Sequence, residues 1–476
     1  MALFSVMLAS CDLFPDSTPS PNGFFYARNT TNNSFYMVEA EMLCEGEKCE
    51  IWVETGSGVT AREAKNIADE YDAIIRPRIV DAFSEKDFSY SFRGVKYDFD
   101  DMLDYANWLV DGTTGKLTIL LLDIKDGYDE ESGAYVAGYF DSVNFLEKGS
   151  YKINDRIYCS NGRDMIYVDT NPGMKEAEQL KQVYATFAHE LQHLINFVTC
   201  HWLDKDSTDT WINEGLSAYA EYLYLGDHPQ DRLVWLSDPR NTIKTGNNFF
   251  VWDNYPNKLT ILDDYATVYL FFRWLYLQAD AELQTHIFRD ISNSAYSDYR
   301  AVTDVARNIK FAYLSWTSLL RTWLAANYYP ENADYGYKGD EKLKKIIKIA
   351  PISGNNIELY PGEGVYSIIR NGSYSASNAG NIRYAGLTAN TDYVDEISPY
   401  SGDTLLTFNA NYDNSEGERE TGLLTGFSSS VSVSRMAAES QQPENQQPEK
   451  WTRPYVIDAQ DLLGRDRDKP IRQLLR

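Results

Sequence analysis

Residues 180–199 read LKQVYATFAHELQHLINFVT, and the rest of the chain is best understood outward from this stretch. Its apolar residues recur at intervals of three and four, as on one face of an α-helix: Leu180, Val183, Tyr184, Phe187, Leu191, Leu194 and Val198. Pro172 stands where helices commonly begin, so the pattern predicts a helix over residues 174–199. Apolar positions on both sides of His189 and His193 indicate that the two imidazoles are partly buried.

His189 and His193 are four residues apart and therefore project from one face of the predicted helix, one turn from each other. Two imidazoles at this separation can share a tetrahedral zinc ion. Glu190 lies about 100° around the helix from His189, where it can take a proton from a water molecule that the metal activates. The alternative is an ordinary helix with two polar histidines, although only five histidines occur in the whole chain.

A third metal ligand is predicted at Glu214, 21 residues beyond His193. It lies in the run WINEG at 211–215, which opens a second predicted helix over roughly 210–225. Two His and one Glu leave the fourth zinc position open for water, which is the catalytic rather than the structural pattern. Glu221 lies seven residues after Glu214 on the same helix face and can orient a ligand histidine through a hydrogen bond. The alternative interpretation is that Glu221 is an ordinary surface glutamate.

The flanking segments contain both strand and helix patterns and predict an α+β fold. Several domains are expected, since 476 residues exceed the usual size of one domain. Residues 41–171 mix strand and helix patterns, and residues 172–349 change to helical spacing around the metal motif. Short strands between Gly, Asn and Ser turns predict a small β-sandwich over 350–433. Residues 434–476 contain the near-repeat QQPENQQPE and are predicted to be disordered or loosely packed.

The N-terminal residues predict export. Residues 1–11 are apolar and end in Leu-Ala-Ser-Cys, which resembles the cleavage and lipidation signal of bacterial lipoproteins, with Cys11 as the lipidated residue. No Lys or Arg precedes the apolar run, and a mildly apolar terminus is the alternative. Pro, Ser, Asn and Thr are frequent after it, so a flexible tether is predicted over 12–40. The expected location is therefore a membrane facing the periplasm or the cell surface.

Four further cysteines are candidates for disulfides in an exported protein. Cys44 and Cys49 flank a turn-like segment, whereas Cys159 and Cys200 bracket the predicted metal helix. The sequence leaves their pairing open, and four ordinary thiols are the alternative.

Charge excludes some partners. Lys and Arg number 44 and Asp and Glu number 70, which gives a net charge of −26 and argues against binding nucleic acid. The expected partners are protein or peptide substrates, and a monomer is predicted. An acidic cluster allows calcium as a second metal, but its spacing matches no calcium-binding loop and a solvated charge run is favoured: Asp126, Asp129, Glu130 and Glu131.

The runs HELQHLINF at 189–197 and WINEGLSAYAE at 211–221 resemble the hyicolysin family of bacterial metallopeptidases, within the gluzincin group that includes thermolysin. Segments 123–128 and 137–140 are also similar to that family. The resemblance implies a gluzincin-like core, made of a mixed-sheet domain and a helical domain and followed by the small β-rich domain. It also implies a zinc endopeptidase with three ligands and one general base: His189, His193 and Glu214, and Glu190.

Two departures refine this expectation. Thermolysin has Asp four residues after its ligand Glu, where this chain has Ala218, whereas Glu221 matches the acidic residue of aminopeptidases that carry an Asn-Glu-Gly motif. Those aminopeptidases also bind the free amine of their substrate with a Gly-Ala-Met-Glu-Asn-type motif that we do not find here, which favours an endopeptidase. Tyr265 resembles their catalytic tyrosine and is expected to stabilise the oxyanion, with core packing as the alternative among 35 tyrosines.

A function of another class is also compatible with the sequence. A surface adhesin or binding protein could keep the metal site for structural reasons only. The abundance of tyrosine and the β-rich region 350–433 favour this alternative, because aromatic residues are enriched where proteins recognise each other.

Overall fold

The computed structural model describes residues 22–84, 88–90, 95–97, 99–100, 115–130, 135–153, 156–175, 180–237, 250, 261–309, 313, 315–351, 356–368, 373–374, 380–388, 400–401, 403–412 and 420–423. The predicted signal at 1–11 with Cys11, the first part of the predicted tether and the predicted tail at 434–476 lie outside these residues. Strands and helices both occur throughout the described part, so the predicted α+β class is confirmed.

The described residues form two compact units. The first unit holds those up to Ser207 together with Leu223–Gly226, and the second holds Thr208–Tyr222 and those from Asp227 onward. The strands of the first unit are β1 (Asn22–Asn29), β2 (Ser34–Glu45), β3 (Cys49–Glu54), β4 (Phe88–Tyr90), β5 (Val95–Tyr97), β6 (Leu117–Leu122), β7 (Gly138–Phe140), β8 (Gly149–Ile153), β9 (Arg156–Ser160) and β10 (Met165–Asp169).

A six-stranded mixed sheet with the order β1-β2-β3-β6-β10-β7 is the centre of the first unit. β3, β6 and β10 run parallel, whereas β1, β2 and β7 are joined antiparallel to their neighbours. Every residue of β6 and of β10 is buried, as expected of central strands that are covered on both faces. Two further hairpins, β4–β5 and β8–β9, lie outside this sheet.

The flexible tether predicted over 12–40 is wrong for its described part, because β1 and most of β2 occupy residues 22–40 as an antiparallel hairpin. Alternate residues point into the core, so Phe25, Ala27, Val38 and Ala40 are buried. The Asn- and Thr-rich residues form the turn of this hairpin, where Asn33 adopts a positive φ of 60°. Composition alone therefore indicated a loop, whereas the polar residues of this segment occupy only the turn and one face of the β1–β2 hairpin.

The helices of the first unit are α1 (Ala61–Glu70), α2 (Arg76–Phe83) and α3 (Leu180–Trp202), with one π-helical turn (Tyr71–Ile75) between the first two. Thr60 caps α1 in a capping box with Glu63, which satisfies backbone N–H groups at the helix start. The long helix predicted over 174–199 is confirmed as α3, but its predicted start is too early. Residues 171–175 form turns, in which Met174 N donates to Thr170 O over 3.3 Å.

The candidate disulfides are not formed: no disulfide joins any of the described cysteines. In the β2–β3 pairing Cys44 is opposite Ile51 and Glu45 is opposite Glu50, so Cys44 and Cys49 do not face each other directly. Burial raises the pKa of the Cys49 thiol well above its ordinary value.

Cys159 and Cys200 also have separate surroundings. Cys159 Sγ lies 3.4 Å from Ser150 Oγ in the β8–β9 hairpin. Cys200 Sγ donates to Asn196 Oδ1 within α3 over 3.9 Å. The candidate disulfide between Cys159 and Cys200, which would bracket α3, is therefore absent from the structure.

The second unit contains most of α4 (Thr210–Leu225), the second predicted helix. Further helices follow among its described residues: α5 (Gln230–Ser237), α6 (Ile261–Gln278), α7 (Ile287–Ser292), α8 (Tyr299–Ala306), α9 (Trp316–Tyr328) and α10 (Glu341–Ile346). Aromatic packing dominates its core. The Trp211 ring centroid lies 5.8 Å from that of Phe271 and 5.6 Å from that of Trp316. A buried ion network completes this core, since Asp340 accepts from His228 Nε2 over 3.0 Å and from Arg273 Nε over 2.9 Å.

Short antiparallel strands follow these helices in the second unit: β11 (Asn356–Leu359), β12 (Gly364–Ile368), β13 (Ser373–Tyr374), β14 (Ile382–Leu387), β15 (Tyr400–Ser401), β16 (Thr404–Asn409) and β17 (Glu420–Leu423). They form one three-stranded sheet with the order β12-β16-β14 and two strand pairs. The strand content predicted over 350–433 is thus present, while a separate sandwich domain stays a prediction. None of the helices in the described part combines the length and apolar character needed to cross a bilayer.

A buried carboxylate at the end of β10 ties the central strands to the turn before α3. Asp169 is 1% exposed, and its oxygens accept from Ile124 N and from Gly173 N, each over 3.0 Å. Burial raises the pKa of Asp169 to about 7, although these two backbone hydrogen bonds oppose the shift. The charged form of this side chain is therefore unfavourable in the folded protein.

Because the pKa of Asp169 is about 7 in the folded protein and about 3.9 in an unfolded chain, the folded state binds the proton more tightly. The contribution of this proton to the free energy of unfolding is full below about pH 4 and is lost as the pH rises through about 7. We expect Asp169→Asn, which cannot ionise, to flatten this part of the pH dependence. Urea unfolding at several pH values measures it, with Glu41→Gln at an exposed position of β2 as control. Equal pH profiles for Asp169→Asn and wild type would contradict the expectation.

Candidate metal centre

The two predicted histidine ligands lie in the most deeply buried part of α3. Every residue from Val183 to Cys200 is buried, so this helix is surrounded by protein on all sides. His189 is 0% and His193 is 1% exposed, and their ring centroids are 4.7 Å apart. The four-residue spacing therefore places the imidazoles one above the other, as the sequence predicts.

Glu214 of α4 completes a group of three. One possible ligand atom from each of His189, His193 and Glu214 lies within 4.8 Å of the other two, and all three residues are buried. In the described residues this is the one group of at least three His, Cys, Asp or Glu side chains that could hold a metal ion.

The donor set fits zinc. Two imidazole nitrogens and one carboxylate oxygen are the ligands of catalytic zinc sites, in which the fourth position is left for water or substrate. Placing these polar groups together in a protein interior costs free energy that a shared cation offsets. The residues present therefore suit a divalent metal that takes nitrogen and oxygen ligands, as zinc does.

The surroundings of Glu190 explain why β7 begins with glycine. A Cβ at Gly138 would lie 2.7 Å from Thr186 Cγ2, 2.9 Å from Tyr167 O and 3.3 Å from Glu190 Cγ. Strand β7 and helix α3 therefore approach so closely that any side chain at Gly138 would collide with the helix. The same contact shows that the predicted general base, which is 0% exposed, extends alongside this strand.

A second glycine lies beside Glu214. A Cβ at Gly215 would lie 2.2 Å from Phe272 Cδ2, so α4 and α6 pack with no room for a side chain there. On the preceding turn Trp211 is 1% exposed and its ring centroid lies 5.9 Å from that of Phe272. The Trp and Gly of the WINEG run thus anchor the helix start that carries Glu214.

The other predicted site residues, Glu221 and Tyr265, are both buried, at 3% and 0% exposure. They share one neighbour that the sequence analysis missed, Arg232 of α5. Arg232 Nη2 donates to Glu221 Oε1 over 3.0 Å, and the guanidinium carbon lies 5.0 Å from the centroid of the Tyr265 ring. The one signal in the sequence is an adjacent Asp and Arg ahead of the apolar run at 233–236, which is too common to identify a site. The predicted roles of Glu221 and Tyr265 stay predictions.

The acidic cluster considered for calcium has other contacts in its described part. Asp126 accepts from Tyr128 N over 2.8 Å and from Val136 N over 2.6 Å, which holds the loop after β6. Glu131 lies outside the described residues. The structure therefore adds no support for a calcium site there.

If the three ligands share one ion, the purified protein stripped with a chelator should take up one equivalent of zinc. We expect His193→Ala to weaken zinc binding by more than about 100-fold. Mutating a residue that only hydrogen-bonds a metal ligand already lowers metal affinity by about 10- to 100-fold, and removing the ligand itself should lower it at least as much. Competition titration and elemental analysis measure this. His286→Ala is the control, since His286 is not a member of the group and its Nδ1 contacts Asp290 Oδ2 at 2.7 Å. Unchanged zinc affinity in His193→Ala would show that the metal is bound elsewhere.

The close approach of β7 to α3 predicts that adding one methyl group at Gly138 destabilises the folded protein. Gly138→Ala should lower the free energy of unfolding by about 1–3 kcal/mol, because the added methyl group overpacks a rigid contact. Gly149→Ala is the matched control, since nothing lies within 4 Å of a Cβ at that position. Urea unfolding measures the free energy of unfolding of both variants. Equal values for the two would mean that β7 and α3 can move apart to accept the methyl group without loss of stability.

Comparison with known proteins agrees with this centre. The chain is 28% identical over 272 residues to the neutral metalloprotease ShpI of Staphylococcus hyicus, covering 56% of this chain and 53% of that protein. It is 32% identical over 78 residues to a puromycin-sensitive aminopeptidase of Caenorhabditis elegans, covering 16% of this chain and 8% of that enzyme. No protein-family model matches the chain, which spans about half the length of ShpI. The similarity to ShpI and the grouping of His189, His193 and Glu214 show that the chain is related to bacterial metalloproteases.

Proposed function

We propose that the protein is a zinc-dependent endopeptidase that hydrolyses peptide bonds of extracellular proteins or peptides. The observation that carries this proposal is the buried group of His189, His193 and Glu214 with Glu190 next to the first ligand in the chain. The similarity to a neutral metalloprotease supports it. The gluzincin-like arrangement of the core is part of the proposal.

Each residue has a distinct role in the proposed reaction. His189, His193 and Glu214 would hold the zinc ion, which would supply Lewis acidity for the scissile carbonyl and for an attacking water. Glu190 accepts the proton of that water and delivers it to the leaving amine. Tyr265 donates a hydrogen bond from its hydroxyl to the oxyanion that develops on the carbonyl. Glu221 orients a ligand histidine.

Strand β7 supports a peptide as the substrate. It lies at one edge of the six-stranded sheet among the described strands, antiparallel to β10. An edge strand offers backbone N–H and C=O groups with which an extended peptide can pair. Because Gly138 of this strand approaches Glu190, a peptide added there would pass close to the general base. Backbone pairing of this kind needs no free terminus, which favours cleavage within a chain.

An aminopeptidase is the second candidate, favoured by the 78-residue similarity to a puromycin-sensitive aminopeptidase. Both candidates use the same zinc chemistry and differ in whether the free amine of the substrate is bound. The absence of a recognisable Gly-Ala-Met-Glu-Asn-type motif in the sequence is the reason for ranking the endopeptidase first.

The proposed place of action is outside the cell, with the protein held at a membrane by a lipid on Cys11. This part rests on the Leu-Ala-Ser-Cys run at 8–11. The predicted monomer likewise stays a proposal.

Glu190→Gln should keep its zinc and lose proteolysis. We expect the rate of casein cleavage to fall by about 100-fold or more, because the amide cannot take the proton from water. Elemental analysis verifies the zinc content of each sample, and Glu41→Gln serves as the control with an exposed glutamate.

The same proteins distinguish the candidate functions when they are given peptides with free and with acetylated N-termini. Internal cleavage of both peptides by wild type supports the endopeptidase, whereas release of single residues from the free peptide only supports the aminopeptidase. Equal proteolysis by wild type and Glu190→Gln would contradict the mechanism. Zinc binding without any cleavage would favour the surface binding protein.

A further inference from the structure

Arg232 is the feature of the second unit that the proposed function leaves unused. Its side chain is completely buried on α5 and is paired with two carboxylates. Arg232 Nη2 lies 3.0 Å from Glu221 Oε1, and Nη1 lies 2.8 Å from Asp231 Oδ2. Burying a guanidinium is costly, and a buried ion pair is often no more stabilising than apolar residues of the same size. Fold stability alone therefore gives a weak reason for this arrangement.

The position of Arg232 gives a stronger reason. Its guanidinium carbon lies 5.0 Å from the centroid of the Tyr265 ring, within the range of a cation–π contact. It bonds to Glu221 and is within electrostatic range of Glu214 as well. All three site residues predicted for α4 and α6 thus interact with one cation.

The guanidinium stays charged at every working pH. Burial alone would lower the pKa of Arg232, but the charges of Asp231 and Glu221 raise it above its ordinary value. A fixed planar cation restricts its neighbours in two ways. It holds the Glu221 carboxylate in one direction through its N–H group, and it keeps the Tyr265 ring beneath its face.

We propose that Arg232 is a positioning residue that fixes the Tyr265 ring, and with it the phenol hydroxyl, for the reaction. This inference rests on the proposed function, in which Tyr265 donates to the oxyanion. Arg232 is not one of the proposed metal ligands, and in this proposal it acts through the Tyr265 ring that it contacts. A hydroxyl misplaced by about 1 Å can slow a reaction by roughly 100-fold, which sets the scale of the expected effect.

The test is a double-mutant cycle on the full chain with an internally quenched peptide. We expect Arg232→Gln to lower kcat by about 10- to 100-fold at nearly unchanged KM and with full zinc content. Arg232→Lys keeps the charge and should recover part of the loss. In a Tyr265→Phe background, Arg232→Gln should change kcat by less than about 2-fold, because the hydroxyl that Arg232 positions is already absent.

Arg273→Gln is the matched control. Arg273 is also a buried arginine of this unit, paired with Asp340 and 4.3 Å from the centroid of the Tyr222 ring. This variant should lower the melting temperature while the kcat of its folded fraction stays as in wild type.

If Arg232→Gln does not fold because Glu221 is left buried and unpaired, Arg232→Met combined with Glu221→Gln removes both charges and is compared with Glu221→Gln alone. Three results would overturn the proposal: unchanged kcat in the folded, zinc-loaded variant, an equal loss of kcat in the wild-type and Tyr265→Phe backgrounds, or loss of zinc from the variant. Failure of the proposed function is recognised separately, because wild type and Glu190→Gln would then cleave the peptide equally or not at all.

Discussion

The structure depends on holding two imidazoles and a carboxylate together in the interior of the protein. His189, His193 and Glu214 are each at most 1% exposed, and their possible ligand atoms lie within 4.8 Å of one another. Polar groups placed in this way are unfavourable unless something compensates them, and a divalent cation does so directly. α3 is buried from Val183 to Cys200, which places both histidines in this interior.

Close packing next to Glu190 and Glu214 is the second requirement. Gly138 allows β7 to touch α3 beside Glu190, and Gly215 allows α4 to touch α6 beside Glu214. In both places the missing side chain lets the backbone of one element approach the neighbouring element more closely than any other residue would permit. Rigid surroundings of this kind keep a carboxylate in one place, which a general base or a metal ligand needs.

The sequence predicted the parts that follow a local rule. The helical period identified α3, the four-residue spacing paired His189 with His193, and the run WINEG identified Glu214 at the start of α4. Other parts depend on contacts between distant residues and could not be foreseen. The hairpin of β1 and β2 was mistaken for a tether, since its turn residues outweighed the alternation of Phe25 and Ala27 with polar neighbours. Arg232 was missed because Glu221 and Tyr265, the two site residues it contacts, lie on other helices.

The buried setting of the cysteines has a consequence for their reactivity. Cys49 is completely buried, and burial raises its pKa, so little of the reactive thiolate is present at neutral pH. Cys159 and Cys200 are also buried, each within its own element. Reagents that attack thiolates therefore meet protected sulfur atoms at these three positions as long as the protein is folded.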